Sequence, residues 1–222
     1  MIDSYAWRGE AREAVLRLGP LDGPMVLILP PLFEEANRTR FFLVEVMRGL
    51  AGHGIVSLLP DLPGTNDSLV PTIDARLADW RDAVAALPVP IATVALRGGA
   101  LLDDAARTDR HWRLAPEGGG RLLRDMIRAT AITSRLKAAE IEASARTNPT
   151  TLAGSDLHPE LFVALHSAAP VVGGAVRTAR LDDDAAEADV RIMGTPLWRR
   201  AEPDHDPLMA EAMVADLTSW LA

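Results

Sequence analysis

The chain has 222 residues, 48% of them hydrophobic and 24% charged, with a formal net charge of −8 and no cysteine. That length and mix suit one globular domain with a sizeable core, expected to span residues 1–222. Without a basic stripe the chain is not read as a nucleic-acid binder, and without cysteine it has no disulfide, thiolate zinc site or Cys nucleophile.

The first ten residues carry Asp, Arg and Glu without an apolar segment, so no secretory signal is expected. No apolar run approaches about 18 residues, so membrane insertion is not expected and the location expected is cytoplasmic. Residues 13–19 roughly alternate and fit an edge strand; Leu21-Asp22-Gly23-Pro24 marks a turn; residues 25–29 are a continuous apolar strand. Together they predict an antiparallel hairpin leading into a buried sheet. Pro30-Pro31 stops the strand, residues 32–40 read as a polar loop, and 41–51 show helical spacing that ends at Gly52-His53-Gly54. A second apolar strand at 55–59 runs into a loop from Asp61 to Ser68, and 72–87 repeat apolar residues at helical spacing.

Residues 91–96 form an apolar strand that ends abruptly at Arg97, followed by Gly98-Gly99 and a segment read as helix through residue 106. This is the strand–sharp turn–helix of a nucleophile elbow, the G-x-S-x-G device of α/β-hydrolases. Strand and helix nearly touch at the elbow, so small residues must flank the nucleophile two places away; Ala95 and Gly99 satisfy this. The central position holds arginine instead of serine. A guanidinium has five donors, no acceptor and a proton it does not lose, so it cannot attack a carbonyl.

Beyond the elbow, 111–115 read as a strand, 116–120 as a loop, 121–145 as one long amphipathic helix, 147–157 as irregular and 158–167 as a short helix. Strands at 174–181 and 189–194 flank the acidic run that begins Asp182-Asp183-Asp184, and a helix at 209–221 closes the chain. Short strands alternating with helices predict an α/β fold: a mostly parallel central sheet, helices on both faces, and a reduced cap over about 121–170.

Several stretches resemble the α/β-hydrolase-like proteins associated with the exosortase A system, in particular the second of its two hydrolase groups. They are Pro30-Pro31-Leu32-Phe33-Glu34-Glu35-Ala36-Asn37-Arg38-Thr39-Arg40, Leu59-Pro60-Asp61-Leu62-Pro63-Gly64-Thr65-Asn66-Asp67-Ser68 and Leu96-Arg97-Gly98-Gly99-Ala100-Leu101-Leu102. Leu114-Ala115-Pro116, followed by Gly119, Leu123 and Arg128, and Gly194-Thr195-Pro196-Leu197-Trp198 add to them. The resemblance implies a bacterial cytoplasmic accessory protein of α/β-hydrolase fold, serving envelope protein sorting or exopolysaccharide synthesis. No substrate follows from it.

Candidate site residues follow from position in that fold. Arg97 and Gly98 at the elbow are candidates for binding an anion beside a helix N-terminus; Arg97 paired to Glu34 or Glu35 is the other reading. Glu34, Glu35, Asn37 and Arg40 lie where part of the oxyanion hole belongs, and Glu35 is a candidate base, although acidic residues there also suit a helix start. Asp61 and Ser68 are expected to brace their loop, Asp61 by accepting backbone hydrogen bonds. His205 holds the place of the triad histidine, and Asp182, Asp183 or Asp184 that of the triad acid. With no serine to deprotonate, ordinary hydrolase activity is not expected. No metal and no cofactor are expected, since the other histidines lack ligand spacing and Gly118-Gly119-Gly120 lacks the P-loop lysine. Three functions compete: an enzyme using another nucleophile, with water activated by Glu35 or His205; a non-catalytic protein recognising a small anionic molecule or peptide carboxylate; and an interaction protein serving envelope-polysaccharide synthesis or protein sorting. A second copy of the chain is a further candidate partner.

Overall fold

The computed structural model describes Met1–Ala222. Its central sheet has eight strands: β1 (Ile2–Arg8), β2 (Ala11–Leu18), β3 (Met25–Leu29), β4 (Val56–Pro60), β5 (Ala92–Leu96), β6 (Arg110–Leu114), β9 (Ala175–Leu181) and β10 (Val190–Ile192). Strands β7 (Thr150–Leu152) and β8 (Ser155–Leu157) form a separate hairpin. The sheet order is β1-β2-β4-β3-β5-β6-β9-β10, antiparallel through β2 and parallel from β4 onward. The five residues of β4 and of β5 are all buried, as strands covered on both faces must be.

Two helices cover one face: α1 (Glu34–Gly52) and α6 (Pro207–Leu221). Phe42, Val46 and Leu50 of α1 meet Met213 and Leu217 of α6 over Val26, Ile28, Val94 and Trp112 of the sheet. The opposite face carries α2 (Leu77–Ala86) and the segment between β6 and β9, which holds α3 (Gly119–Ser134), α4 (Ala138–Ala145) and α5 (Pro159–Ser167). Trp80, Leu122, Phe162 and Leu165 pack there on Leu27, Leu29 and Ala95.

The structure departs from the sequence reading at five places. Residues 13–19 are not an edge strand, because β1 lies outside β2; β2 pairs with β1 and β4 rather than with β3, so the leading hairpin is β1–β2, turning at Gly9 with φ 55°. Helix α1 begins at Glu34 rather than residue 41, so residues 34–40 are its first turns and not a loop. After β5 there is no α-helix, only two 3₁₀ turns, Arg97–Leu101 and Asp103–Ala105. Residues 97–109 are close to the shortest crossover two parallel strands allow, and they open on two glycines, poor helix formers. The stretch 121–145 is two helices broken at Arg135, in the left-handed region at φ 63°. Thr130, Thr133 and Ser134 bond back to carbonyls of the preceding turn at that end, as hydroxyl residues do when they compete with helix continuation. Finally, 147–157 are ordered as the β7–β8 hairpin, whose turn residues Ala153 and Gly154 both have positive φ, as a type I′ turn requires.

The elbow explains why Gly99 stands where it does. A Cβ there would lie 2.5 Å from the carbonyl oxygens of both Leu29 and Pro30, whereas one on Gly98 would meet only the leucine side chains of Leu32 and Leu122 at 3.2–3.3 Å. Gly99→Ala is therefore expected to cost about 1–3 kcal/mol as overpacking against backbone, and Gly98→Ala less, because side chains yield where β3 cannot. Urea midpoints of the two variants check the order; equal losses would mean that β3 moves to admit the methyl group.

Candidate functional site

Arg97 closes β5 with φ 52°, a left-handed conformation costly for a residue with a Cβ. The sharp turn points its side chain inward, and only 6% of the residue is exposed. Glu35, in the first turn of α1, meets it with both oxygens: Nε and Nη2 each donate over 3.3 Å. On the other side Nη1 donates to Glu117 Oε2 at 3.2 Å and to the Ala115 carbonyl at 3.4 Å. The Trp198 ring lies under the guanidinium, 5.1 Å from its carbon to the ring centroid. Arg97 is thus enclosed by two carboxylates, a carbonyl and an aromatic face. Glu117 Oε2 also stands 3.3 Å from Arg121 Nε, which extends the network toward solvent.

Burial pushes the Glu35 carboxyl above its ordinary range; the charge and N–H bonds of Arg97 pull it back, while Asp125 and Glu117 push it further up. Its acidity is a balance between desolvation and this one guanidinium.

The other candidate residues fall into separate groups. Glu34 turns outward, accepts from Asn37 Nδ2 at 3.2 Å and lies 3.9 Å from Arg38. Arg40 reaches Asp61 Oδ1 at 3.0 Å, and Asn66 Nδ2 reaches the same oxygen at 2.6 Å. Asp61 thus braces its loop through side-chain donors, Arg40 on α1 and Asn66 in the loop, not the backbone donors expected. Ser68 Oγ donates to the buried Glu13 and accepts from the amides of Gly64 and Val70, the bonds of a loop clasp. Gly98 lies beneath Leu32 and Leu122, so apolar side chains crowd the backbone where an α/β-hydrolase receives an oxyanion. The helix N-terminus expected to favour an anion at Arg97 is absent, since a 3₁₀ turn of Arg97–Leu101 stands there.

His205 lies in an exposed loop, 47% of its side chain accessible, edge-on to Phe41 with ring centroids 4.9 Å apart. It does not line the space beside Arg97. That space is a cavity of about 270 Å3 at the carboxyl ends of β5, β6 and β9. Its walls include Asp183 and Asp184 but not Asp182, and Asp184 is taken up by Arg180 at 2.8 Å. Trp198 stands between the last strand and α6, on the stretch where the triad histidine was sought. Glu117 and Trp198 were not singled out by position in the sequence. The signal for Glu117 was its place directly after β6, which pairs with the elbow strand; for Trp198 it was the stretch Gly194–Trp198 itself. No grouping of His, Asp and Glu fit to hold a metal ion occurs, and no helix is long and apolar enough to cross a membrane.

No protein-family model matches the chain, and no curated protein sequence matches it. Solved structures do. The chain superposes along its whole length on the whole of alpha/beta hydrolase domain-containing protein 10 from mouse, with a TM-score of 0.67 and 16% identity. It covers 98% of a putative hydrolase from Agrobacterium vitis S4, again along its whole length, with a TM-score of 0.62 and 11% identity. It covers 99% of a bottromycin epimerase solved with bottromycin A2, at a TM-score of 0.53 and 14% identity. At these identities the likeness shows the fold, and the fold is that of the α/β-hydrolases.

Proposed function

We propose that this chain is a catalytically silent α/β-hydrolase-fold protein that acts by binding. The observation that carries the reading is Arg97 at the elbow, its guanidinium spent on Glu35, Glu117 and Ala115. A serine hydrolase needs a nucleophile, a base bonded to it and donors for the oxyanion. Here a cation replaces the nucleophile, His205 rests on Phe41, and Leu32 packs over Gly98. The sequence stretches around Pro30–Arg40 and Leu59–Ser68 support a place among the exosortase A-associated hydrolase-like proteins, as a cytoplasmic accessory to envelope protein sorting or exopolysaccharide synthesis. Partners in this reading are a small molecule or peptide bearing a carboxylate, or a second copy of the chain.

An enzyme that activates water through Glu35 or His205 is the competing reading, and one experiment separates the two. Purified protein is treated with a fluorophosphonate probe and assayed on short p-nitrophenyl esters, beside an Arg97→Ser variant. Neither protein is expected to label or to turn over ester above buffer. Ester turnover by wild type above buffer that is lost with Glu35→Gln or His205→Ala, or stoichiometric labelling of wild type at a serine such as Ser68, overturns the proposal.

A further inference from the structure

We propose that the outer face of α3 is a docking surface for a membrane leaflet rich in anionic lipid, on which the protein lies without spanning it. The inference goes beyond the silent-scaffold reading and does not depend on it. As a whole the chain is acidic, with a net charge of −8, and its composition shows no basic stripe. Folding makes one on the cap. Between residues 121 and 137 stand Arg121, Arg124, Arg128, Arg135 and Lys137 against one acid, Asp125. Helix α3 buries Leu122, Leu123, Met126 and Ile127 against the domain, the spacing of a single helix face. At 3.6 residues per turn the opposite side collects Arg121, Arg124, Asp125, Arg128 and Ile132, and all five are exposed.

Two of the cations are partly answered within the protein: Arg121 lies 3.3 Å from Glu117, and Arg128 3.7 Å from Asp125. Arg124, Arg135 and Lys137 are exposed and meet no carboxylate. Glu140, the next acid along the chain, turns back to accept from the Lys137 amide. Exposed cations need no partner in water, and alone they would mark only a solvated face. What sets this face apart is the apolar side chains among them. Ile132 is 77% exposed and Leu136 55%, on either side of the helix break at Arg135.

An anionic leaflet answers both features at once. Each basic residue near it favours binding roughly fivefold, so three unanswered cations give roughly a hundredfold preference over a neutral leaflet. Ile132 and Leu136 reach toward the acyl boundary, where even partial burial of a large apolar side chain adds to binding. A nucleic acid would use the cations but leave both apolar side chains in water. Nor does any aromatic residue lie between 119 and 137 for a base to stack on. The negative charge on the rest of the chain is repelled by the same leaflet, which orients the cap toward the lipid. The apolar face of α3 stays in the core, so side chains make the contact and the helix itself is not embedded.

Co-sedimentation of the purified protein with vesicles tests the assignment. Phosphatidylcholine vesicles carrying about one third phosphatidylserine are expected to bind it, and pure phosphatidylcholine about tenfold or more weakly. Binding to the anionic vesicles should fall steeply as salt is raised. Arg124→Gln combined with Lys137→Gln removes two unanswered cations and is expected to weaken binding roughly twentyfold. Ile132→Ser combined with Leu136→Ser should weaken it several-fold while keeping the salt dependence. Arg48→Gln, which removes an exposed cation on α1, should leave affinity within about twofold of wild type. All these positions are exposed, and melting curves check that the variants fold. No sedimentation with the anionic vesicles overturns the proposal, as does equal binding to both lipids. So does an equal loss in Arg48→Gln, or unchanged affinity in either double variant. Tighter binding of a single-stranded DNA oligonucleotide than of anionic vesicles, at equal phosphate concentration, overturns it in favour of nucleic acid. None of these outcomes touches the silent-scaffold reading, which stands or falls on probe labelling and ester turnover.

Discussion

Arg97→Ala is expected to destabilise the protein by about 3–5 kcal/mol, because it leaves the largely buried Glu35 without its cation, while Glu117 keeps Arg121. For a chain of this size that corresponds to a fall in melting temperature of roughly 6–20 °C. Thermal unfolding at neutral pH gives the number directly. The pH dependence shows whether the cause is an uncompensated charge. In the native protein burial already raises the Glu35 pKa, and Arg97 is what restrains it. Removing Arg97 raises it further, so the folded variant takes up a proton at a higher pH than the unfolded chain does. A carboxyl raised on folding favours the folded state below its unfolded pKa and loses that contribution as pH rises through the folded value. The gap between wild type and Arg97→Ala should therefore be widest near pH 8 and narrow toward pH 5. A gap that does not change with pH would place the loss in the Trp198 contact and the vacated volume instead. Arg97→Ala combined with Glu35→Leu, which removes the α1 carboxylate that Arg97 faces, should recover part of the loss.

The same arginine shows what the sequence could and could not disclose. The small residues around it, Ala95 and Gly99, are a local signature, since the close approach of β5 to the backbone after β3 depends on nothing but their size. The parallel sheet was legible for a similar reason: fully buried strands such as β4 and β5 read as apolar runs, interrupted only by Ser57 and Thr93. The partner of Arg97 was narrowed to two glutamates by topology alone. The choice of Glu35 over Glu34 is set by the rotation of α1, and that rotation depends on a helix start at Glu34 that the polar run 32–40 concealed. Trp198 and Glu117 come from loops distant in sequence, where no periodicity applies. The β1–β2 hairpin carried a cue in Gly9, but β1 is an edge strand with little buried surface, so its pattern is faint: only Tyr5 is buried. His205 illustrates the opposite error. Its place in chain order is right for a triad, yet chain order does not fix which way a loop turns, and here the loop lays the ring on Phe41.

The second large effect lies beneath the elbow, at a pair that local pattern could not reveal. Asp103, inside the stretch read from the sequence as helix, is 0% exposed. It accepts from Arg113 Nε at 2.6 Å and Nη2 at 2.9 Å, a two-pronged contact between the second 3₁₀ turn and β6. With no α-helix after the elbow, this ion pair is what fastens Asp103–Ala105 to the sheet. Arg113→Ala is expected to cost about 3–5 kcal/mol by leaving Asp103 buried and unpaired. His111 gives the test a second axis. Its Nδ1 lies 2.8 Å from Thr93 Oγ1 and 4.0 Å from Asp103, and burial lowers its pKa, with Asp103 acting to raise it and Arg113 to lower it. Without Arg113 the imidazole is freed from one cation and left beside an unpaired carboxylate, so its pKa rises and it takes up the proton that Asp103 needs. The loss in Arg113→Ala should then be larger at pH 8 than at pH 6, which urea unfolding at the two values measures. Asp103→Leu with Arg113→Met separates pairing from packing. Buried ion pairs replaced by apolar residues of similar size are often neutral or better, so the double variant should recover most of the single variant's loss. A double variant as unstable as Arg113→Ala would mean that the 3₁₀ turns are seated by the directed bonds themselves, and that the elbow depends on them for its shape.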